Sequence, residues 1–337
     1  MTIRTKPRAA LAHGRRVARS VVGEARTELD TRFRRGGRAD LALFHEFAPP
    51  PTGGGHQFLR ALVAELGRRG LSVELNRISS ETPVCLFNSF NFDFRRLRRF
   101  ARPGCRMVHR VDGPIARYRG FDDGTDARIA AVNRELADAT IVQSRYSLDA
   151  HREDGIDLRD PRLIPNAVDP AIFHPPAARE PLAGRRARVV ATSWSDNPNK
   201  GADVLAWLDR HLDADRFELT FVGPAPGALG RIRCIGPLPS EALADELRAH
   251  DAYLAPSVND PASNALLEAL ACGLPAVFRR SGGHPELVGD AGLPFDAPEE
   301  LPDVLDRLLA ELDDRRAAIR VPSLAEVADR YLEVLGA

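Results

Sequence analysis

The sequence has no long hydrophobic run. No stretch of its 337 residues approaches the roughly 20 consecutive apolar residues that span a bilayer. The N-terminus also lacks the continuous apolar block of a signal peptide, because Arg15, Arg16 and Arg19 interrupt it. The sequence therefore predicts a cytoplasmic protein.

Cysteine is scarce as well. Its four positions lie far apart, with no spacing typical of a metal site or a redox pair; they are Cys85, Cys105, Cys234 and Cys272. We predict that they are reduced thiols in the core of an intracellular protein, with no metal bound.

The chain also lacks net charge, because 47 basic residues match 47 acidic ones. The net charge therefore gives no indication of a polyanionic partner, and we expect that the protein does not bind nucleic acid. Residues 1–38 are the exception, with eleven Arg or Lys against three acids and with apolar residues at helical spacing. This segment is either a basic amphipathic helix on an anionic membrane surface, which would make the protein peripheral to the inner face of the membrane, or a partly disordered or self-packed extension.

Short apolar runs alternate with helical stretches from Asp40 onward, which is typical of α/β proteins with parallel sheets. The runs predict strands at 41–44, 72–75, 84–87, 107–110, 140–143, 162–164, 188–192, 218–222, 231–235, 252–255 and 275–278. Two Rossmann-like doubly wound domains that face each other across a cleft are the simplest reading. The predicted parts are an extension (1–38), a first domain (39–170), a Pro-rich linker (171–186), a second domain (187–320) and a closing helix (321–337).

The most informative motif follows the predicted strand 252–255. Asp260 ends a loop, Ser263 is a plausible helix N-cap, and Asn264 and Glu268 lie on one helical face because they are four residues apart. The segment from Tyr253 to Gly289 resembles the donor-binding signature of the retaining glycosyltransferases of family four, the group 1 glycosyltransferases, whose fold is GT-B. In that family both acids are Glu, whereas the first acid here is Asp260.

Two glycine-associated loops match the same family in order. The resemblance implies that Gly53, Gly54 and Gly55, directly before a helix, contact the donor diphosphate, as a helix N-terminus can. It also implies that Lys200, one of only two lysines, binds phosphate without metal, with Asn197 close to it. The family has an Arg six residues before this Lys, where the chain has Trp194. Without the resemblance, both loops are also compatible with ordinary turns and a solvated Lys.

Polar residues at the ends of first-domain strands are candidates for sugar contacts. His109 matches a family His that lies against the transferred sugar, and Arg110 and Asp112 follow closely. Asn88 and Gln143 end first-domain strands and are expected to face the acceptor. From the residue pattern alone, a His after Val is more often a structural core residue. In the second domain, Gly282 and Gly283 resemble a family loop whose amides approach the donor sugar.

An acidic turn at 122–126 is compatible with a metal site, but it lacks the complete spacing of a calcium loop, which favours helix capping or acceptor contact.

Taken together, the resemblance implies a metal-independent, retaining hexosyltransferase that needs no cofactor. Its partners would be a nucleotide-sugar donor and a glycan or lipid-linked acceptor. Glu268 would bind the ribose, Asp260 the transferred sugar, and Lys200 the diphosphate. Two alternatives remain: a transferase-like scaffold that binds nucleotide sugars without turnover, and a nucleotide-sugar epimerase. A phosphorylase is disfavoured because no lysine has a cofactor-like setting.

Overall fold

Two parallel six-stranded sheets form the frame of the molecule. The computed structural model describes residues 39–48, 54–195 and 197–337. The basic segment 1–38 and Gly53 lie outside the described residues, so the predictions made for them stay predictions. The alternation of strands and helices that the sequence predicts is present in both halves of the chain, which confirms the α/β, doubly wound fold class.

The first lobe has the sheet order β2-β1-β3-β4-β5-β6. Its strands are β1 (Leu41–Phe44), β2 (Val73–Leu75), β3 (Val84–Phe87), β4 (Arg106–Val111), β5 (Ala139–Val142) and β6 (Pro161–Leu163). Its helices are α1 (Gly54–Arg68), α2 (Phe94–Phe100), α3 (Ile115–Arg119), α4 (Thr125–Leu136) and α5 (Arg145–Glu153). The central strands β1, β3 and β5 are buried throughout because helices cover both faces.

The second lobe has the order β12-β11-β10-β7-β8-β9. Its strands are β7 (Ala187–Thr192), β8 (Phe217–Val222), β9 (Arg233–Ile235), β10 (Ala252–Ala255), β11 (Ala276–Arg279) and β12 (Gly292–Phe295). Its helices are α6 (Ala202–His211), α7 (Ser240–Arg248), α8 (Asn264–Ala271), α9 (His284–Val288), α10 (Leu301–Ala310) and α11 (Leu312–Ala317). The strand order reverses between β7 and β10, and doubly wound sheets bind ligands at such a switch point.

Strand β12 was not predicted from the sequence. It is short, it contains Pro294, and a proline removes one backbone donor from a ladder. The strand nevertheless pairs in parallel with β11, from Gly292 opposite Ala276 to Phe295 opposite Arg279. Proline is tolerated here because β12 is the edge of its sheet.

The last helix, α12 (Leu324–Leu335), packs on the first lobe rather than on the lobe that precedes it in the chain. Its apolar face carries Leu324, Val327 and Tyr331 into the core that α1 shares with the first sheet. Ser323 starts the helix with a capping box that Glu326 completes. The chain therefore joins the lobes twice, once before β7 and once before α12.

The cysteine prediction is right for three positions and wrong for one. Cys85, Cys105 and Cys272 are buried thiols, whereas Cys234 is exposed on the edge strand β9. Within the described ranges no helix is long and apolar enough to cross a membrane.

Candidate active site

The switch point of the second sheet brings Lys200 and Asp260 together. Lys200 follows β7 and Asp260 follows β10, and these parallel strands are neighbours, so their carboxyl ends open on the same crevice. Lys200 Nζ lies 2.7 Å from Asp260 Oδ2, and the Asp260 side chain is only 6% exposed. The two residues, 60 positions apart in the sequence, therefore form one ion pair at the mouth of the sheet.

Both members of this pair are charged. Burial favours the neutral form of each, but their mutual attraction outweighs it, so the pKa of Lys200 is raised and the pKa of Asp260 is lowered. His284 lies behind them, with Nε2 3.1 Å from the Ser257 hydroxyl and Nδ1 3.1 Å from the Arg279 carbonyl. Burial lowers the pKa of His284. The site therefore holds one cation and one anion next to a neutral imidazole.

Helix α8 begins where the sequence predicts. The Ser263 hydroxyl accepts a hydrogen bond from the Leu266 amide, so Ser263 is the N-cap. One turn later Glu268 turns its carboxylate into the cleft, where it is 7% exposed. No donor from the described residues contacts this carboxylate, and burial raises its pKa to about 8. An acid in this setting is ready to accept hydrogen bonds from a ligand.

The N-termini of two helices converge in the cleft. Helix α1 of the first lobe starts at Gly54 and α8 of the second lobe starts at Asn264, and a Cβ on Gly54 would lie 2.2 Å from the Asn264 Cβ. Only glycine permits this approach. Both helices point their partially positive ends at the same space, and their first backbone N–H groups have no partner within the helix, which suits a phosphate. Gly55 lines the cleft beside Gly54.

Two aromatic residues complete this part of the cleft. Trp194 is 40% exposed and lines it where the family has an Arg. Tyr118, which the sequence analysis missed, comes from α3 of the first lobe, and its ring centroid lies 4.6 Å from Lys200 Nζ. Its backbone carbonyl accepts hydrogen bonds from the side chains of Asn197 and Asn199, each at 3.0 Å. The Lys200 loop is therefore tied directly to the first lobe.

In the first lobe, Asp112 and Gln143 line the cleft. Asp112 follows β4 directly and Gln143 follows β5, whose last residues Val111 and Val142 are opposite one another. Because side chains alternate along a strand, Arg110 and Asp112 lie on one face of β4, and His109 and Val111 on the other. This alternation decides which of the polar residues at the strand end can meet a ligand.

His109 lies on the wrong face for a contact with the transferred sugar, so that prediction is wrong. Its ring stacks on Phe87 with a centroid distance of 4.2 Å, and the Asn133 amide lies 3.1 Å from its Nδ1. The residue is fully buried, and burial lowers its pKa to about 3. His109 is thus a neutral core residue under α4, and Asp112 occupies the cleft instead.

Asn88 and Arg110 support the cleft rather than line it, which also differs from the prediction. Arg110 is 1% exposed and bonds Asn88 Oδ1 at 2.8 Å, Asp112 Oδ1 at 2.9 Å and Asn166 Oδ1 at 3.0 Å. Asn166 in turn donates to Asn264 Oδ1 at 3.0 Å. These bonds fix Asp112 and connect the first lobe to the start of α8.

Asn197, Gly282 and Gly283 have structural roles, and the donor contacts predicted for the two glycines stay predictions. The Asn197 side chain is engaged by Tyr118 and by the Asn199 amide, so it does not replace the absent Arg. Gly282 has φ +63, and a Cβ there would lie 2.3 Å from the Asp260 carbonyl oxygen. The Gly283 amide donates to that carbonyl at 2.9 Å. The two glycines therefore support the backbone of Asp260.

A carboxylate of the second lobe caps a helix of the first. Glu286 accepts hydrogen bonds from the Arg145 and Tyr146 amides, both at 2.7 Å. The first turn of α5 has no acidic residue of its own, so Glu286 supplies the negative charge that this helix start favours. Sequence reasoning could not find this contact because it joins residues 141 positions apart.

The acidic turn at 122–126 caps backbone amides. Asp126 accepts from the Ile115 and Ala116 amides, each at 2.8 Å, while Asp122 and Asp123 accept from Gly124 and Thr125. No group of three or more His, Cys, Asp or Glu residues in the described part of the chain is arranged to hold a metal ion.

The cleft is open to solvent and is lined by residues of both lobes. Of the predicted site residues, those that line it or its continuation are Gly54, Gly55, Asp112, Gln143, Lys200, Asp260, Ser263, Asn264 and Glu268.

The second lobe coincides with a known family. The model of the family described as "Glycosyl transferases group 1" matches residues 187–311, from the first residue of β7 to the end of α10. Residues 187–311 are a group 1 glycosyltransferase domain. This glycosyltransferase domain contains Lys200, Asp260 and Glu268, and the resemblance found in the sequence is confirmed.

The sequence match to curated relatives extends beyond the glycosyltransferase domain. The chain is 28% identical over 247 residues to an MMP α-(1→4)-mannosyltransferase of Mycolicibacterium hassiacum, covering 65% of this chain and 58% of that protein. It is 30% identical over 249 residues to a D-inositol 3-phosphate glycosyltransferase of Xylanimonas cellulosilytica, with the same two coverages. The chain thus matches a little over half the length of these relatives.

A solved structure matches both lobes. The Anabaena protein HepE, crystallised with UDP and glucose, superposes with a TM-score of 0.68 over 89% of this chain and 100% of that chain, at 16% sequence identity. A likeness at this identity concerns the fold alone. The fold of the chain is GT-B, with the glycosyltransferase domain as its second lobe.

Proposed function

We propose that the chain transfers a hexose from a nucleoside diphosphate sugar to a hydroxyl group of a glycan or glycolipid, with retention of the anomeric configuration. One observation carries the proposal: the Lys200–Asp260 ion pair lines the cleft where the N-termini of α1 and α8 meet, and the unpartnered Glu268 carboxylate lines the adjoining space beside Gly54 and Asn264. This arrangement offers positive charge to a diphosphate and acceptor oxygens to hydroxyl groups.

The donor would lie along the second lobe. Glu268 would accept hydrogen bonds from the ribose hydroxyls, Lys200 and the amides at the start of α8 would face the diphosphate, and Asp260 would hold hydroxyls of the hexose. The matched fold was crystallised with UDP and glucose, and a matched relative is named a mannosyltransferase, which supports a hexosyl nucleotide as donor.

In the chemical step, the acceptor oxygen forms a bond to the anomeric carbon while the bond from that carbon to the phosphate oxygen breaks. The acceptor proton passes to the phosphate oxygen on the same face, and the leaving group is a nucleoside diphosphate. Lys200 and the two helix N-termini would stabilise the charge that develops on the phosphate; removal of one such donor costs on the order of 100–1000-fold in rate.

Fixed positive groups would take the place that a metal ion has in other transferases, so we expect no metal and no cofactor to be required. The measurement is turnover in the presence of excess chelator, which should match turnover without it. A loss of activity that Mg²⁺ or Mn²⁺ restores would contradict this part of the proposal.

A binding scaffold without turnover is the second candidate. Trp194 stands where the family has a phosphate-binding Arg, and the single cation at this site, Lys200, is already paired with Asp260. Both features weaken the attraction for a diphosphate without preventing nucleotide binding.

The decisive experiment is a screen of UDP, GDP and ADP hexoses for binding and for nucleoside diphosphate release. Turnover that Lys200→Met abolishes supports the transferase, and NMR of the product reports the anomeric configuration. Binding without release supports the scaffold, and inversion of the free sugar nucleotide at its second carbon supports an epimerase. Arg280→Gln, at an exposed residue that does not line the cleft, is the control.

The basic segment 1–38 is proposed to bind an anionic membrane surface. Its support is the surplus of Arg and Lys in the sequence, since each cation near such a surface contributes about 1 kcal/mol. Full-length protein should sediment with vesicles that contain phosphatidylglycerol but not with pure phosphatidylcholine vesicles. Arg15, Arg16 and Arg19 changed together to Gln should weaken the binding; equal binding to both vesicle types would contradict it.

A further inference from the structure

The first-lobe wall of the cleft presents two hydrogen-bond acceptors side by side. Val111 and Val142 are opposite one another in β4 and β5, so Asp112 and Gln143 follow at adjacent strand ends, about 5 Å apart. Both lie on the sheet face that also carries Arg110 and Ile141, and both line the cleft.

Gln143 is fixed with its amide oxygen unsatisfied. Its Nε2 donates to the Val111 carbonyl at 3.1 Å, which determines the orientation of the amide. Oε1 is buried and has no partner, and the whole residue is 4% exposed. A buried acceptor without a donor destabilises the protein, so a shift of the Gln143 side chain that opens Oε1 to a ligand hydroxyl would gain a hydrogen bond that the empty cleft does not make.

Asp112 also has one oxygen available. Oδ1 accepts from Arg110 at 2.9 Å, its backbone amide donates to Ser89 at 2.5 Å, and its backbone carbonyl lies 2.8 Å from His151 Nε2. No donor among the described residues contacts Oδ2, and the side chain is 30% exposed. The wall therefore requires a ligand that brings two hydrogen-bond donors, while the nearby rings of Phe90 and Tyr118 add apolar surface.

Next to Asp112 and Gln143, the charged side chains on the described lining of the cleft are paired. Lys200 is bonded to Asp260, and Asp112 is bonded to the buried Arg110. If the proposed function holds, the donor diphosphate also occupies Lys200 and the two helix N-termini. A second anion would then face the free oxygens of Asp112 and Gln143, which repel it.

We propose that this wall binds a neutral sugar through two of its hydroxyl groups, and that Asp112 and Gln143 select it against phosphorylated acceptors. The inference rests on the proposed function and adds the chemical class of the acceptor. Asp112 and Gln143 act as hydrogen-bond acceptors, and discrimination follows because hydroxyls donate to them while a phosphate monoester cannot.

Equilibrium binding tests the proposal whether or not turnover is fast. Protein saturated with the nucleoside diphosphate found in the donor screen is titrated with matched pairs of probes, methyl α-mannoside against mannose 6-phosphate and inositol against inositol 3-phosphate. The neutral member of each pair should bind at least about tenfold more tightly, the factor that a missing or repelled hydrogen bond costs.

Variants assign the preference to the two residues. Gln143→Leu should weaken binding of the neutral sugar about tenfold and leave the affinity for the nucleotide unchanged. Gln143→Lys should reduce or reverse the preference because it adds a cation to the wall. Asp112→Asn should also weaken binding of the neutral sugar. The melting temperature of this variant is measured as well, because Arg110 loses its counter-charge. Glu81→Gln, in an exposed turn of the same lobe, is the control.

Several outcomes would overturn the inference. These are tighter binding of the phosphorylated probes by the unmodified protein, no binding of any neutral probe, or an unchanged affinity in Gln143→Leu. A protein that binds no nucleotide at all fails at the earlier step: the proposed function is then wrong and the inference falls with it.

Discussion

Each lobe buries an ionisable side chain at the cleft, Glu268 in the second lobe and Arg110 in the first, and the two are held in opposite ways. In the second lobe, Glu268 is buried without a partner, and the Lys200–Asp260 pair opens on the cleft. In the first lobe, Arg110 and His109 are buried more deeply, but Arg110 bonds three side chains and His109 lies against Phe87 and Asn133. Polar residues that look equally functional in the sequence thus form two groups. Some are left without a partner and can bind a ligand, and others stabilise the fold through internal contacts.

This difference has an energetic basis. An unpartnered buried carboxylate destabilises the empty protein, and such strain is retained where a ligand relieves it. A satisfied network has the opposite effect, because it stabilises the fold and orients the residues that touch the ligand. Asp112 belongs to both groups, since one oxygen is fixed by Arg110 and the other faces the cleft.

Lys200→Met gives the sharpest test of the second-lobe side of this comparison. We expect kcat to fall on the order of 100–1000-fold, because the leaving phosphate loses its cation. We also expect the free energy of unfolding to fall by about 3 kcal/mol, because Asp260 stays buried without a counter-charge. The double variant Lys200→Met with Asp260→Asn should regain stability in denaturant titrations but not activity. Equal stability of the single and double variants would contradict the account.

Glu268→Gln tests whether the unpartnered acid destabilises the empty cleft. The pKa of Glu268 is about 8 in the fold against an ordinary value of 4.5. The cost of its ionisation is therefore absent below about pH 4.5 and grows as the pH rises towards 8. The variant should be more stable than the unmodified protein at pH 9, by about 2–4 kcal/mol, and similar to it at pH 4.5. Melting temperatures measure this, and a difference independent of pH would show that the carboxylate is already satisfied.

Glu286→Gln tests the contact that joins the lobes. The variant loses two charge-assisted hydrogen bonds to the start of α5, each of which contributes about 1–3 kcal/mol. The amides of Arg145 and Tyr146 should exchange hydrogen faster, and small-angle scattering should show a larger radius of gyration in the absence of ligand. The exposed Glu299→Gln variant is the control. Unchanged exchange at both amides would mean that the cleft is closed by other contacts.

His109→Leu should have the smallest effect on activity. Its ring is in the core, so we expect kcat/KM to stay close to that of the unmodified protein, while the free energy of unfolding falls by about 1–3 kcal/mol because Asn133 loses a partner. The folded-state pKa of about 3 lies below the ordinary 6.5, so His109 also makes the fold less stable as the pH falls below 6.5. The variant should lack that part of the acid sensitivity. A large loss of kcat with normal stability would show that His109 contributes to the active site and would contradict a purely structural role.

Local sequence patterns predicted most of the fold. The predicted strands correspond to β1 to β11 with ends shifted by at most two residues, and Ser263 caps α8 as expected. These features depend on neighbouring residues, which the sequence displays directly. Strand β12 was not predicted because Pro294 argues against a strand. Its position at the sheet edge, where a proline is tolerated, is not visible in the local sequence.

The site was predicted less evenly. Lys200 and Asp260 meet because they follow strands that the topology makes neighbours, while Glu268 lies further along the helix that follows β10. His109 and Asp112 could not be distinguished by sequence, because the choice depends on which face of β4 meets the cleft and which meets α4. The contacts made by Tyr118 and Glu286 depend on how the two lobes dock, and this cannot be predicted from a local sequence pattern.

A crystal structure of the protein with a nucleoside diphosphate, chosen by soaking UDP, GDP and ADP in turn, tests the central claim most directly. The account predicts the diphosphate within hydrogen-bond distance of Lys200 Nζ and of the amides that begin α8, with the ribose hydroxyls on the Glu268 carboxylate. A nucleotide bound outside the cleft, or one inside it with Glu268 still without a partner, would contradict the account.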